Sequence, residues 1–307
     1  MGKIIITADW HLRSNRPRCR LDPNWIETQK NALNQIAKYA RENEADVFVI
    51  GDIFHSTNET TNEVIGLVQE LAGQLFEECG KSLYILAGNH DLPQHNLDNI
   101  YRSAFNILIN TKNIFHIRDY DGFVEFGYKH SAGDFGEQDE NLQIIFKHVL
   151  CFPETAKIPP SDKIVKPSEL FAQFDNAKYI FTGDYHRQFI YEGKKKKTQT
   201  LLNPGCLLRQ AADTIAYVTS VFLVEFQNQN KELKYTSLPI VDNEEMVTDE
   251  YIENEVMRNS RIEAFIERIK ENEHVTFDFI TNVHNLMNSN DIEKNVKDAI
   301  LELLENT

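Results

Sequence analysis

The first half of the chain alternates short apolar runs with longer segments whose apolar residues recur at helical spacing. The runs predict strands at residues 3–8, 46–50 and 82–87, and the longer segments predict helices at about 25–43 and 61–79. Strands that alternate with helices are typical of an α/β fold in which parallel strands pair at the centre of the sheet.

Further along, strand-like runs follow one another more closely, and two hairpins close this part of the chain. The predicted strands are 114–117, 123–126, 143–147 and 178–181, and the predicted hairpins are 189–202 and 216–238. A Pro- and Lys-bearing connection at 153–167 and a short helix separate two of the strands. The pattern therefore predicts one α/β domain over residues 1–240 that becomes β-rich toward its end.

Residues 241–307 differ in character, because they are acidic and rich in helical patterns. The predicted helices are 248–270 and 291–305, and the second has apolar residues such as Ile292 and Val296 on one face. We expect this C-terminal region to cap the first domain or to bind a partner.

The charge of the chain is strongly acidic but unevenly spread. It has 32 Lys and Arg against 47 Asp and Glu, a formal net charge of −15. Such acidity disfavours partners that are held by bulk positive charge, nucleic acid first among them. Residues 241–307 carry −11 of the total and residues 1–240 only −4, so the exclusion is weak for the first domain.

The apolar runs and the cysteines indicate a compartment. No run approaches the roughly 20 residues that cross a bilayer, and Asp9 comes too early for a signal peptide. The four cysteines are far apart, which disfavours a disulfide framework or a thiolate zinc site. We therefore expect a cytoplasmic protein without a membrane segment.

Residues of the types that bind metal ions recur where the predicted strands end. They are Asp9 and His11, Asp52 and His55, Asn89 to Asp91, His148, and Asp184 and His186. In α/β sheets, binding sites form outside the carboxyl ends of the strands, so these loops should converge on one crevice. A lone Asp-x-His is usually a turn beside a surface histidine, and His148 has no motif around it. Five such elements in order nevertheless predict a single site.

The mixture of carboxylate, imidazole and amide groups suits Mn²⁺, Fe²⁺ or Zn²⁺. Two such cations about 3.5–4 Å apart can share a carboxylate, activate a water molecule and neutralise a phosphate. The sequence therefore points to phosphoester chemistry at a two-metal centre.

These motifs resemble those of the calcineurin-like metallophosphoesterases. The matching pieces are Asp9-Trp10-His11, Gly51-Asp52-Ile53-Phe54-His55, Gly88-Asn89-His90-Asp91, His148 and Gly183-Asp184-Tyr185-His186. The second piece is similar to that of SbcD-type DNA repair exonuclease subunits and their phage relatives, as is Asn203-Pro204-Gly205-Cys206. The resemblance implies a four-layer α/β/β/α sandwich, here with a small C-terminal helical appendage.

The resemblance also implies a role for each site residue. One cation would be bound by Asp9, His11, Asp52 and His186, and the other by Asp52, Asn89, His148 and Asp184, with Mn²⁺ as the expected metal. His90 would face the scissile phosphate, Asp91 would orient His90, and His55 would lie close enough to affect catalysis. The family usually has His at position 184, so Asp184 implies a working site with an altered metal preference.

Basic and aromatic residues near these motifs are candidates for DNA contact. They are Arg13, Arg16, Arg18 and Arg20 after the first metal motif, Tyr185 between two ligands, and Lys194, Lys195, Lys196 and Lys197 at a hairpin tip. A solvated loop is the usual interpretation of such an arginine run, and a solubilising turn is an equal alternative for the lysines. The position of the arginines beside the metal motif favours phosphate contacts.

Together these features predict a metal-dependent DNA phosphodiesterase, an SbcD-like exonuclease with single-strand endonuclease activity that acts in DNA repair, recombination or end processing. By analogy its partners are DNA, an SbcC-type coiled-coil ATPase and a second copy of the chain, since related nucleases often work as dimers. Two alternatives stay open. One is a phosphodiesterase or phosphatase of the same fold that acts on a small substrate, and the other is a non-catalytic DNA-end-binding subunit whose site has decayed at Asp184.

Overall fold

The fold is described from a computed structural model of the chain. It describes residues 2–250 except 58–59, 118–142, 157–163, 176, 194–198, 212–213, 215 and 228–231. The predicted strand 123–126 and the lysines 194–197 therefore lie outside the described residues. So does the predicted C-terminal region from residue 251 onward, with most of its first helix and all of its second. The chain divides into two compact units, Met1–Asp249 and Glu250–Thr307, and the helices and strands named below all belong to the first.

The described residues form ten strands and four α-helices. In chain order they are β1 (Lys3–Thr7), α1 (Trp25–Asn43), β2 (Asp46–Ile50), α2 (Asn62–Cys79), β3 (Leu83–Leu86), α3 (Ala104–Ile109), β4 (Ile114–Ile117), β5 (Gln143–His148), α4 (Pro167–Gln173), β6 (Ala177–Gly183), β7 (Phe189–Gly193), β8 (Gln199–Asn203), β9 (Ser220–Gln227) and β10 (Glu232–Pro239). Short 3₁₀ segments at Asn89–Asp91, Pro93–His95 and Leu97–Arg102 connect β3 to α3.

The strands make two sheets. The first has the order β10-β9-β1-β2-β3-β4, with parallel pairs from β1 to β4 and antiparallel pairs at β9 and β10. The second has the order β5-β6-β8-β7, in which only β7 is antiparallel to its neighbour. Both predicted hairpins are present, as β7–β8 and β9–β10.

The two sheets pack face to face with helices on the outside. Side chains of both sheets, such as Ile6, Phe48, Phe146 and Phe181, share one buried cluster. The opposite face of the first sheet packs on α1 and α2, and that of the second sheet packs on α4. The α/β/β/α layering implied by the sequence is thus confirmed for the described residues.

Local signals in the sequence explain the ends of the two long helices. The side chain of Asn24 accepts a hydrogen bond from the Glu27 amide at the start of α1, and Thr61 does the same for the Val64 amide at the start of α2. The second helix ends at Gly80 with a φ of 63°, a conformation that glycine adopts at little cost. These caps place the following strands, and so the loops that carry the metal-ligand residues.

Residues 240–248, the closing segment, run back along the first unit after β10. The Ile240 amide donates to Thr219 O at 2.9 Å, the Leu21 amide to Met246 O at 2.8 Å, and the Thr248 amide to Cys19 O at 2.8 Å. The first compact unit includes these residues and ends at Asp249, and the domain limit of 240 stays a prediction. Among the described residues, no helix has the length and apolar character needed to cross a membrane.

Candidate metal centre

The strand-end loops meet at one edge of the two facing sheets. Asp9 and His11 follow β1, Asp52 follows β2, and Asn89 follows β3. His148 ends β5, and Asp184 and His186 follow β6. Ligand atoms of Asp9, His11 and His186 lie within 4.8 Å of one another, as do those of Asp9, Asp52 and His148. The structure thus brings together the residues that the sequence predicted as ligands.

Four of these residues have left-handed backbone conformations that non-glycine residues rarely adopt. The φ angles are 49° at Asp9, 45° at His11, 51° at Asp52 and 81° at Asp184. Each such residue costs about 1–2 kcal/mol, and this kind of strain is concentrated at functional sites. Backbone hydrogen bonds maintain it, because the Asp9 amide donates to Gly51 O at 3.1 Å and the His11 amide to Asp52 O at 2.9 Å.

Glycines let the loops approach closely enough to share a site. A Cβ atom at Gly51 would collide with the ring of His148, and one at Gly88 would collide with Asp52. A Cβ atom at Gly183 would meet Ile50 O and the His148 ring. The Gly-Asp and Gly-Asn pairs of the sequence therefore serve close packing as well as turning.

Asp52 lies at the centre of the cluster and is completely buried. Its Oδ1 accepts a hydrogen bond from the His90 amide at 2.9 Å, whereas its Oδ2 is buried without a hydrogen-bond partner. That Oδ2 lies 3.6 Å from His11 Nε2 and 3.4 Å from His148 Nε2. A buried carboxylate oxygen between two imidazole nitrogens has the geometry of a ligand shared by two cations.

His148 had the weakest sequence signal of the predicted ligands, but it lies inside the cluster. Its Nδ1 is 2.8 Å from Ile50 O, a carbonyl that can only accept, so Nδ1 carries a proton. Its Nε2 lies 2.9 Å from Asn89 Oδ1 and 3.9 Å from Asp184 Oδ1. A backbone carbonyl that orients the ring in this way is typical of metal-binding histidines.

His11 and His186 face each other through their Nε2 atoms, 3.1 Å apart. Burial lowers the pKa of His11 well below its usual value, so its ring is neutral. The Nδ1 of His11 is buried without a hydrogen-bond partner. Two imidazole nitrogens that converge at this distance suit a shared cation.

The cluster holds several buried carboxyl groups and too few positively charged side chains to balance them. Burial raises the pKa of Asp9 to about 8, and the nearby Asp52 adds to the effect. Burial would lower the pKa of His148, but Asp52 and the other carboxylates raise it to about 10. That imidazolium in turn holds the pKa of Asp52 below its usual value against the effect of burial. Divalent cations would supply the missing positive charge, and the oxygen and imidazole groups around them are suitable ligands.

The structure corrects the predicted role of Asp91. Its buried carboxylate accepts hydrogen bonds from the backbone amides of Gly88, Ile53 and Phe54 at 2.9–3.2 Å. His90 is oriented instead by His55, whose backbone oxygen lies 2.7 Å from His90 Nδ1. Asp91 therefore ties the loops after β2 and β3 together, and the prediction that it orients His90 is wrong.

His11, His55 and His90 form a second histidine group at the edge of the cluster. The ring centroids of His11 and His90 are 4.9 Å apart, and those of His55 and His90 are 5.8 Å apart. The predicted neighbourhood of His55 and His90 is thus present. Both side chains are partly exposed, which leaves them accessible to a substrate.

The arginines after the first motif separate into two kinds. Arg20 is 1% exposed, and its guanidinium pairs with Asp22 at 2.7 Å and with Asp242 at 2.8 Å. The prediction that Arg20 contacts DNA is therefore wrong, since its donors hold the closing segment. Arg16 and Arg18 are exposed and Arg13 is half-buried, so these three stay candidates.

Tyr185 is half-buried, and its ring packs against Phe152 and Phe189, with centroids 4.7 Å and 5.7 Å away. Contact with DNA stays a prediction for it.

Several residues without a predicted role in the site support it. The buried Asn203 donates to the carbonyls of Tyr185 and Arg187 at 2.7 Å and 2.9 Å, which fixes the loop after β6. The Gln210 side chain donates to Trp10 O at 2.9 Å. Trp10 lies in the chain between the predicted ligands Asp9 and His11. His95, which was not among the predicted site residues, lies beside His90. Only the resemblance of residues 203–206 to a family segment could have suggested Asn203.

Comparison with known proteins agrees with this architecture. Residues 2–188 match the sequence profile of the calcineurin-like phosphoesterases. The chain is similar to the SbcD subunit of the nuclease SbcCD of Staphylococcus epidermidis, with 33% identity over 89 residues, 29% of this chain and 23% of that protein. It is also similar to exonuclease subunit 1 of Enterobacteria phage T4, with 29% identity over 97 residues, 31% of this chain and 27% of that protein. Each match thus spans about a quarter of the relative.

Among solved structures, wild-type Vps29 of Entamoeba histolytica complexed with Zn²⁺ is similar, with 10% identity and a TM-score of 0.36. That match covers 78% of this chain and 99% of the other.

Proposed function

The chain belongs to the calcineurin-like phosphoesterase family, and on that premise we propose that it is a two-metal phosphodiesterase that cleaves DNA. The observation that carries the proposal is the convergence of Asp9, His11, Asp52, His148 and His186 at the ends of four strands. The partial similarity to an SbcD nuclease subunit and to a phage exonuclease subunit supports DNA as the substrate.

The donor set can be divided between two cations. Asp9, His11 and His186 with Asp52 would hold one, and Asn89, His148 and Asp184 with Asp52 would hold the other. When bound, the cations supply charge neutralisation and the activation of a water molecule. We propose Mn²⁺ as the metal, because oxygen ligands dominate the second group, in which Asp184 stands where the family usually has His.

The chain's own groups would orient the substrate and manage the proton. Because His90 Nδ1 donates to His55 O, the ring is fixed with Nε2 left for the substrate. When the ring is an imidazolium, Nε2–H can donate its proton to a phosphate oxygen or to the leaving oxygen, and the neutral ring that remains keeps its proton on Nδ1. The His90 amide meanwhile holds Oδ1 of Asp52, so one residue positions both the ligand and the phosphate.

The remaining finer assignments are proposals on the same basis. Arg13, Arg16, Arg18 and the lysines 194–197 would contact phosphates, and Tyr185 would contact a base. Beyond the closing segment, the acidic C-terminal region would face a protein partner rather than DNA, and an SbcC-type ATPase is the class that the relatives suggest. Exonuclease action in DNA repair or recombination follows the same analogy.

The test is a cleavage panel on single- and double-stranded DNA with Mn²⁺, Mg²⁺ or EDTA. We expect Asp52→Asn and His90→Ala to lose at least about a hundredfold in Mn²⁺-dependent cleavage, because they remove the shared ligand and the proton donor. His90→Ala keeps the backbone amide that binds Asp52, so it removes the imidazole alone. Asp175→Asn, at an exposed position that follows α4 in the chain, is the charge-matched control.

The outcomes separate the alternatives. Unchanged DNA cleavage by both variants contradicts the assignment of the site. Hydrolysis of methyl p-nitrophenyl phosphate without any DNA cleavage favours a small-substrate phosphodiesterase. One metal ion or none per chain, together with tight DNA binding and no cleavage, favours a DNA-end-binding subunit.

A further inference from the structure

A cavity of about 370 Å³ opens beside the ring of His90. One wall is formed by residues after β2 and the other by residues after β3. They are His55, Ser56 and Thr57 on the first, and Asn89, His90, Leu92, Gln94 and His95 on the second. Its volume falls within the range of small-molecule sites, about 300–1,000 Å³. Asn89 and His90 belong to the candidate centre, whereas Ser56, Thr57, Leu92, Gln94 and His95 have no role there, so this part of the cavity needs its own explanation.

The backbone of the second wall is held in an unusual conformation. Gln94 and His95 are consecutive non-glycine residues with φ angles of 57° and 54°. The His95 amide donates to Leu92 O at 3.0 Å, and His95 Nδ1 lies 2.8 Å from Asn89 O. Because that carbonyl can only accept, Nδ1 donates to it and the ring is fixed in place.

The fixed ring of His95 is exposed rather than packed in the core. It lies edge-on to His90, with ring centroids 6.4 Å apart and an angle of 75° between the planes. Because the ring lies in solvent, its packing contributes little free energy to offset the strain of these two residues. Strain of this kind indicates a functional constraint.

The chemistry of the lining selects the ligand. The described lining residues include hydroxyl, amide and imidazole groups and the apolar Leu92, and none of them is Lys or Arg. A second phosphate would need positive charge, whereas a flat, neutral group with donors and acceptors would not. An unstacked nucleobase has these properties, and histidine rings are among the side chains on which bases stack.

We propose that this cavity binds the base of the nucleotide next to the scissile phosphate, with His95 as the stacking residue that positions it. The inference rests on the proposed function, and it narrows the substrate to unpaired DNA, since a paired base must leave its stack to enter the cavity. The free energy of unpairing and unstacking is smallest for single strands and frayed ends, so they are the substrate class that this site favours.

The test measures binding in EDTA, where cleavage does not interfere. A short fluorescein-labelled single-stranded oligonucleotide is compared with its abasic counterpart, so that the backbone charge is the same in both. For the natural chain we expect the abasic strand to bind about tenfold more weakly, as the loss of one stacked base predicts. His95→Asn tolerates the left-handed backbone but has no ring, and it should remove most of that difference. His95→Phe keeps an aromatic ring but not the Nδ1 donor that fixes it, so it should restore part of the difference.

Asp98→Ala, an exposed change in the next 3₁₀ segment, is the control and should keep the full difference. Equal binding of the two strands by the natural chain overturns the proposal, as does an undiminished difference in His95→Asn. Cleavage of DNA in Mn²⁺ is measured separately. If the base preference is absent while cleavage is normal, the cavity proposal fails and the proposed function stands. If the base preference is present without any cleavage, the cavity does bind a base and the proposed function fails.

Discussion

At the scale of single residues, the candidate centre depends on backbone conformations that side chains usually avoid. The backbone is left-handed at four of the site residues, Asp9, His11, Asp52 and Asp184. Gly51, which directly precedes Asp52, has a φ of 82°. These residues hold their conformations because neighbouring loops bond to each other directly, as at His11 N and Asp52 O. The fold therefore supplies the energy that keeps the ligands together.

Two glycine-to-alanine changes test this view in opposite directions. Gly51→Ala should destabilise the protein by about 2 kcal/mol or more, from the left-handed backbone and the collision with His148. Gly66→Ala lies within α2 with no atom within 4 Å of the new Cβ, and should stabilise by about 0.5–1 kcal/mol. Urea unfolding measures both, and metal content after dialysis should fall only for Gly51→Ala. A shift of the two stabilities in the same direction would contradict the argument.

The sequence identified the ligand types but not every contact between them. Asp52 and His148 could be predicted because metal chemistry requires certain residue types in the loops after strands. The true partners of Asp91 could not, since three backbone amides leave no signal in side-chain chemistry. Arg20 was misassigned for a related reason, because its partner Asp242 is 222 residues away in the chain.

At the scale of elements, agreement depends on how local the signals are. The predicted helix 25–43 matches α1 to the residue, since a capping Asn24 and a regular apolar stripe define it. The 3₁₀ segments that hold His95 were missed, because they are too short to show periodicity and their geometry depends on Asn89 O. Predictions were thus best where a cap and an apolar stripe lie within a few turns of each other.

The loop between β1 and α1 is fastened by Asp22, which makes a prediction about pH. Burial alone would raise the pKa of Asp22, but hydrogen bonds from Arg20 and Thr28 lower it from its ordinary value of 3.8. Because the folded pKa is depressed, the stabilisation is complete above about pH 4 and is lost as the pH falls through the folded value. Asp22→Asn should cost about 3–5 kcal/mol at pH 7, since it breaks a buried ion pair.

The check is urea unfolding of the natural chain and Asp22→Asn at several pH values between 7 and 3. The gap between the two free energies of unfolding should narrow below about pH 4, as the carboxylate of the natural chain becomes protonated. Asp175→Asn, at an exposed position, should follow the natural chain throughout. A gap that stays constant down to pH 3 would show that the ion pair is not the cause.

At the scale of the whole molecule, the acidity that first disfavoured DNA is divided between two regions. Residues 1–240 have a net charge of −4, which includes the carboxylates of the candidate centre, and two divalent cations would formally cancel it. Residues 241–307 hold the other −11. The net charge of the whole chain therefore says little about the substrate of the first unit. The metal-ligand groups of the candidate centre are the better guide.

Where the first unit ends is open to a direct test. A chain that ends at residue 249 keeps the closing segment, whereas one that ends at 240 loses Asp242, whose carboxylate pairs with Arg20 at 2.8 Å and with Arg209 at 3.1 Å. Without it two buried guanidinium groups each lose a carboxylate partner, a loss of about 3–5 kcal/mol or more from a total that is usually 5–15 kcal/mol. We expect the longer chain to unfold cooperatively in urea and to bind metal, and the shorter one to unfold at much lower urea. Asp242→Asn in the full chain should reproduce much of the loss, and equal stability of the two shortened chains would place the limit at 240 after all.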